Sequence, residues 1–195
     1  MKILAIDPGT TKSGWVLMGG KWPIDYGWFD NKKIYTLLRM YQSVVVIEDV
    51  AHYGMPVGRD VFETIRWTGR FDYLAESLGL EVRYITRPEV KLALCGSPRA
   101  NDSTIRQALI DRFGGDEVAI GGKKCKECKG KGWNGRGREL CTDCHHEQER
   151  NVAGVDMRPE KGCGYQSHPG PLHGISGHVW SALGVGLTYF DTVRE

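Results

Sequence analysis

Apolar residues recur along this chain in short blocks whose period changes from one block to the next. The first block, Lys2-Ile3-Leu4-Ala5-Ile6-Asp7, is nearly continuous and ends on a carboxylate, after which Pro8-Gly9 turns the chain. Apolar runs bounded by turn residues predict buried strands. On this basis strands are expected at about 2–7, 14–18, 24–29, 43–50 and 81–86. The first three, separated by Pro8-Gly9 and Gly19-Gly20, suit a hairpin meander. Val44 to Val50 reads as a strand covered on both sides, as in a partly parallel sheet.

Helical spacing takes over elsewhere. Ile34, Leu37, Leu38 and Tyr41 share one face of a helix expected over Asn31–Gln42. Val61, Ile65, Phe71, Leu74 and Leu78 recur over Asp60–Leu78, and Ile105, Leu109 and Phe113 align over Ser103–Phe113. A last helix is expected over Ser176–Thr192, with Val179, Leu183 and Leu187 at four-residue steps. Three strands, a helix, a strand, a helix, a strand and further helices describe a mixed sheet flanked by helices, an α/β layer fold.

Residues 119–173 break this pattern. They are rich in Gly, Lys, Cys and His and keep no period, and so long an irregular stretch inside a compact domain needs a physical reason. Cys125-x-x-Cys128, followed after twelve residues by Cys141-x-x-Cys144, has the spacing of two knuckles closing on one tetrahedral zinc. The alternatives are free thiols or two disulfides, the latter disfavoured in a reducing compartment. A zinc ribbon is therefore expected as an insertion at 119–173, within a body formed by 1–118 and 174–195. An all-thiolate site has no open coordination position, so its expected role is structural.

Charge sharpens the picture of that insertion. The formal net charge is +2, yet Gly121 to Leu140 alone carries about +5, leaving the rest mildly acidic. Lys124, Lys126, Lys129, Lys131, Arg136 and Arg138, with Lys123 beside them, suit sequence-independent contact with DNA phosphates. With 41% hydrophobic and 26% charged residues, the composition is that of a soluble globular protein. No apolar segment approaches the roughly 20 residues of a membrane span. The N-terminal run, interrupted by Asp7, does not read as a signal peptide, so a cytoplasmic protein without membrane partners is expected.

Asp7 closes the first strand, and Glu48 lies near the end of the strand at 43–50. Side chains alternate across a strand, so only one of Glu48 and Asp49 can join Asp7. Two such acids at one sheet edge repel unless a divalent cation holds them, and oxygen ligands suit Mg²⁺ or Mn²⁺. Read alone, the same residues also fit a pair at loop openings.

Ile6-Asp7-Pro8-Gly9-Thr10 with Ser13-Gly14, followed by Val46-Ile47-Glu48, resembles the first two catalytic segments of RuvC-type Holliday-junction resolvases. Pro88-Glu89-Val90-Lys91, Cys95-Gly96 and Arg99-Ala100 resemble the family's lysine-containing segment. Gly177 to Val185 resembles its final catalytic helix. Pro169-Gly170-Pro171-Leu172 and His178 to Leu183 are similar to the phage branch. The resemblance covers nearly all but the ribbon. It implies an RNase H-like five-stranded fold and a DNA endonuclease cutting four-way and branched junctions by two-metal-ion hydrolysis. Asp7 would bridge the two Mg²⁺ or Mn²⁺ ions, and Glu48 would bind one.

The family's last ligand pair, three residues apart on one helix face, falls on His178 and Ser181. Serine stands where the family usually has aspartate, which implies metal held by His178, with water on Ser181, and a preference for Mn²⁺. Lys91 would contact a phosphate, and Arg59, Arg66, Trp67 and Phe71 would help to hold a splayed strand. A junction has two strands to cut, so the resemblance also implies a homodimer. The alternatives are a junction-binding protein with a decayed site, and a metal-dependent nuclease of low specificity.

Overall fold

The computed structural model describes residues 1–51, 54, 58–121 and 170–192. The first apolar block becomes β1 (Lys2–Asp7), followed by β2 (Lys12–Gly19) and β3 (Trp22–Asp30). β4 (Val44–Asp49) and β5 (Val82–Thr86) complete a five-stranded sheet in the order β3-β2-β1-β4-β5. β1, β2 and β3 pair antiparallel, whereas β4 and β5 run parallel to β1. The sheet is thus mixed and flanked by helices, as the order of blocks predicts. β2 and β3 extend past their apolar cores because ladder pairing continues from Lys12↔Asp30 to Gly19↔Trp22.

Odd and even positions of the strands serve different layers. Leu4, Ile6, Trp15, Leu17, Val45 and Ile47 pack under α1 (Asn31–Met40) and α2 (Arg59–Ser77), against Ile34, Leu38, Phe71 and Ala75. Burial of each such aliphatic side chain stabilises the fold by about 1.5–3 kcal/mol. The apolar face of α2 differs from the expected one. Thr68, Phe71 and Ala75 are buried, whereas Ile65 and Leu78 are exposed.

A helix that the sequence pattern did not predict, α3 (Arg87–Cys95), follows β5 directly. Pro88 looks like a breaker, but it occupies the first turn, where no N–H partner is needed. The Glu89 carboxylate accepts from the Thr86 backbone N–H and hydroxyl, both at 2.6 Å, and fixes the helix start. Gly96, at φ +65, ends it in the left-handed conformation. α4 (Asp102–Arg112) and the short α5 (Asp116–Ala119) follow.

The last helix, α6 (His178–Thr192), covers the second face of the sheet. Ten consecutive or near-consecutive residues of it are buried, which explains why it is apolar around most of its circumference. A Cβ on Gly186 would lie 3.2 Å from the Ala5 Cβ and 2.4 Å from the Met18 Sδ, so α6 rests directly on β1 and β2. At its far end Asp191 pairs with Lys21 at 2.6 Å. Among the described residues no helix is long and apolar enough to cross a membrane.

Two compact units are formed, Met1–Leu109 with Ile175–Glu195, and Ile110–Gly174. Within the second, the Leu172 N–H donates to the Ala119 carbonyl at 2.7 Å and the Gly170 N–H to Ile120 at 3.2 Å. The chain therefore leaves at 121 and returns at 170 side by side. Cys125, Cys128, Cys141 and Cys144 lie outside the described residues, as do Lys124, Lys126, Lys129, Lys131, Arg136 and Arg138.

Candidate active site

Because β1, β4 and β5 are parallel, their carboxyl ends open on one edge of the sheet, where α/β folds commonly bind ligands. Asp7 ends β1, Glu48 lies one residue from the end of β4, and Arg87 immediately follows β5. The register Ile6↔Ile47 brings Asp7 and Glu48 to the next step, on the face that carries α6. A cavity of about 220 Å³ is lined by Asp7, Glu48 and Arg87, together with Pro8 and residues 49–51.

The turn after Asp7 is held from beneath by buried polar side chains. The Ser13 hydroxyl donates to Asn31 Oδ1 at 2.7 Å and accepts from the Gly9 N–H at 3.3 Å. Asn31 Nδ2 donates to the Gly9 carbonyl at 2.9 Å. Ser13 and Asn31 are almost fully buried, so this small network, satisfied internally, fixes the path of the chain beside Asp7.

His178 opens α6 above the same edge, and its Nδ1 lies 2.9 Å from Asp7 Oδ2. It approaches so closely because its neighbour on β2 is a glycine. Gly14 pairs with Asp7 on one side and with Trp28 on the other. A Cβ there would stand 2.5 Å from the His178 carbonyl oxygen. The imidazole thus lies over the row Asp7–Gly14–Trp28 and stacks on the Trp28 indole, with ring centroids 6.3 Å apart and planes 19° from parallel. The Lys12 ammonium sits 4.8 Å from the centroid of that indole.

Within the site, Glu48 carries the strongest electrostatic signature. Burial and the nearby Asp7 charge lift its carboxyl from an ordinary 4.5 to about 7, partly offset by Arg87. Glu48 Oε2 and Arg87 Nη1 are 3.6 Å apart, too far for a hydrogen bond, and both atoms are buried without a hydrogen-bond partner. Arg87 is anchored instead through Nη2, which donates to Asp102 at 2.6 Å. The hydrogen bond to Asp7 raises the pKa of His178 above its ordinary value, against a smaller opposing effect of burial.

These shifts act in one direction on stability. Glu48 and His178 both bind protons more tightly folded than unfolded, so stability declines as pH rises through their folded values. For Glu48 the decline begins near 4.5 and is complete above about 7. It is worth about 3 kcal/mol, or on the order of 10 °C in melting temperature. In a chelating buffer, the melting temperature should fall between pH 5 and pH 8, and Glu48→Gln should remove most of that fall. A flat profile for the unmodified protein would show that Glu48 is not held in this environment.

Asp7, Glu48 and His178 are therefore brought to one edge, as expected from sequence. Ser181 lies one turn further along α6, half-buried, and Lys91 is one turn beyond Arg87 on α3. Phe71 is fully buried under the sheet and cannot reach a DNA strand. Trp67 packs on Tyr35 and Phe71, with Arg70 over its ring, and Arg66 pairs with Glu63 at 2.6 Å. Arg59, at the start of α2, is exposed. Arg87 and Trp28 escaped the sequence analysis. The position of Arg87 at the carboxyl end of a third parallel strand was the available signal.

Among the described residues, no three His, Cys, Asp or Glu side chains are placed to hold a metal ion as they stand. The donor chemistry nevertheless fits a hard divalent cation. Two adjacent carboxylates repel, one carboxylate oxygen is buried without a partner, and an imidazole borders them.

No family model and no curated protein matches the sequence. Among solved structures, the chain is similar to the Thermus thermophilus RuvC structure, with a TM-score of 0.57 and 14% identity over 100% of this chain and 96% of that one. It is also similar to T. thermophilus RuvC in complex with Holliday junction substrate, with a TM-score of 0.52 and 16% identity over 100% and 95%. The chain has a RuvC-like, RNase H-like fold.

Proposed function

We propose that this chain is a metal-dependent endonuclease that cuts four-way and branched DNA junctions. The observation that carries this reading is the pairing of Asp7 with Glu48 at the carboxyl ends of adjacent parallel strands. Burial and the Asp7 charge lift the Glu48 carboxyl to about 7, against the opposing pull of Arg87. The RuvC-like fold and a neighbour solved with a Holliday junction supply the substrate class.

Asp7 and Glu48 would hold Mg²⁺ or Mn²⁺, with His178 beside Asp7. When bound, such ions activate water and stabilise the leaving oxygen of a phosphodiester. Two ions, bridged by Asp7, are the arrangement that the resemblance implies. A cation must compete with Arg87 for Glu48, and Asp102 is placed to retain the guanidinium when it does. Arg87 and Lys91, one helical turn apart, bring positive charge towards a bound phosphate. Ser181 offers only a neutral oxygen where a second anion would tighten cation binding. Ser181→Asp should therefore increase Mg²⁺-supported cleavage about tenfold and narrow the advantage of Mn²⁺. An unchanged metal dependence would show that this position does not face the ions.

Incubation with four-way, branched and linear duplex DNA in Mg²⁺ or Mn²⁺ tests the assignment. Selective cutting of junctions, lost in Glu48→Gln, is expected. Cleavage indifferent to that substitution would sink the catalytic reading. Binding without cleavage in any metal would make the chain a junction-binding protein with a decayed site. Cys125, Cys128, Cys141 and Cys144 are proposed to close on one zinc ion per chain, measurable by metal analysis, with the surrounding lysines and arginines on DNA phosphates. A homodimer, with one site for each strand to be cut, is part of the same proposal.

A further inference from the structure

We infer that Trp28 is a positioning residue for His178, fixing the plane of an imidazole that the Asp7 hydrogen bond alone leaves free to turn. The inference rests on the nuclease reading and deepens it. His178 is 56% exposed in its side chain, so packing from the core does not hold its ring. A single contact, Nδ1 to Asp7 Oδ2 at 2.9 Å, defines one atom and one direction. Rotation about that direction sweeps the far nitrogen, Nε2, through an arc. A second contact on the ring face is needed to stop the rotation, and Trp28 makes it, with planes 19° apart.

The backbone explains why this tryptophan is available. Trp28 pairs with Gly14, and Gly14 with Asp7, so the three share one face across three strands. The missing side chain of Gly14 leaves room for the His178 carbonyl and Cβ, and this close seat sets the imidazole between the carboxylate and the indole. Trp28 itself remains 54% exposed at the sheet edge, so its ring is not held in the core. Lys12, on the strand between, places its ammonium over the same ring and restrains it further. An indole that contributes little to the core but contacts both a candidate catalytic imidazole and a lysine is accounted for by orientation of the site.

Restraining one ring of this kind changes binding by about fivefold to tenfold. Trp28→Ala should weaken Mn²⁺ binding and lower kcat on a four-way junction by about that factor. KM and the melting temperature in chelator should change little, and Trp28→Phe should restore most of the loss. NMR of the metal-free protein provides a readout independent of cleavage. The His178 ring protons, assigned with His178→Asn, should be shifted by the indole ring current in the unmodified chain and move towards free-histidine positions in Trp28→Ala. Two results overturn the inference alone: ring protons unmoved by Trp28→Ala, or a variant that binds Mn²⁺ and cuts as well as an active parent. A parent that neither binds Mn²⁺ nor cuts any DNA overturns the nuclease reading, and the inference falls with it.

Discussion

Asp7→Asn should reduce junction cleavage at least about a thousandfold, at saturating Mn²⁺, while the protein remains folded. Stabilisation of charge by a correctly held cation is worth several kcal/mol in a phosphodiester transition state, and about 4 kcal/mol is a thousandfold in rate. Asp7 is the acid with the fewest substitutes. Ser181 is neutral, Glu48 faces Arg87, and Asp191 is engaged by Lys21 at the other end of α6. Asparagine keeps the shape of the side chain and removes only its charge. It should therefore relieve Glu48, whose carboxyl is raised in part by Asp7, and lower the His178 pKa by replacing its anionic acceptor with a neutral one. Single-turnover cleavage gives the first result, and the His178 titration by NMR gives the second. A rate above one-tenth of the parent's would remove Asp7 from the chemistry. A His178 pKa that does not fall would mean that the two side chains do not meet in solution.

The second large effect is expected at a residue with no functional group. Gly14→Ala should destabilise the protein by about 2 kcal/mol and lower cleavage about a hundredfold. The new methyl would lie 2.5 Å from the His178 carbonyl oxygen, 2.6 Å from its carbonyl carbon and 2.9 Å from its Cβ. Two of these three are backbone atoms, so no rotamer change relieves the clash and the start of α6 must move off the sheet. Displacement by about an ångström separates His178 from Asp7. Gly69→Ala is the matched control, since a Cβ there meets nothing within 4 Å in the interior of α2. It should leave cleavage unchanged and raise stability by about 0.5–1 kcal/mol. Calorimetry of the two variants beside cleavage assays separates the cases. Equal behaviour would show that α6 does not seat on Gly14.

Much of the architecture could be read from pattern. The spacing of α1 follows from burial on one face, which leaves a periodic mark. The run ending at Asp7, the block from Val44 to Val50 and α6 are covered on more than one side and show as continuous apolar runs. α3 escaped because its only strong local signal, Pro88, is ambiguous. The same residue stops a helix in its interior and starts one in its first turn, and the Glu89–Thr86 contact that decides between them is three-dimensional. Ile65 and Leu78 were misassigned because α2 turns Thr68 and Ala75, small residues with weak hydrophobic signals, towards the sheet. In the site, Asp7, Glu48 and His178 were legible as chemistry at strand and helix ends. Trp28 and Gly14 were not, since their roles depend on strand register rather than on residue type. The identity of a partner across a ladder is set by the pairing of β1, β2 and β3, and nothing local to Tyr26-Gly27-Trp28-Phe29 announces it.

The pairing of Ala119 and Ile120 with Leu172 and Gly170 has an evolutionary consequence. Where a chain exits and re-enters through adjoining backbone hydrogen bonds, closing the intervening segment costs entropy that grows only with the logarithm of its length. Each doubling adds only about 0.6 kcal/mol. Such a doorway lets lineages exchange, enlarge or discard whatever passes through it while the two doorposts keep their bonds. The length and composition of 122–169 can therefore change at small entropic cost while these two hydrogen bonds stay in place.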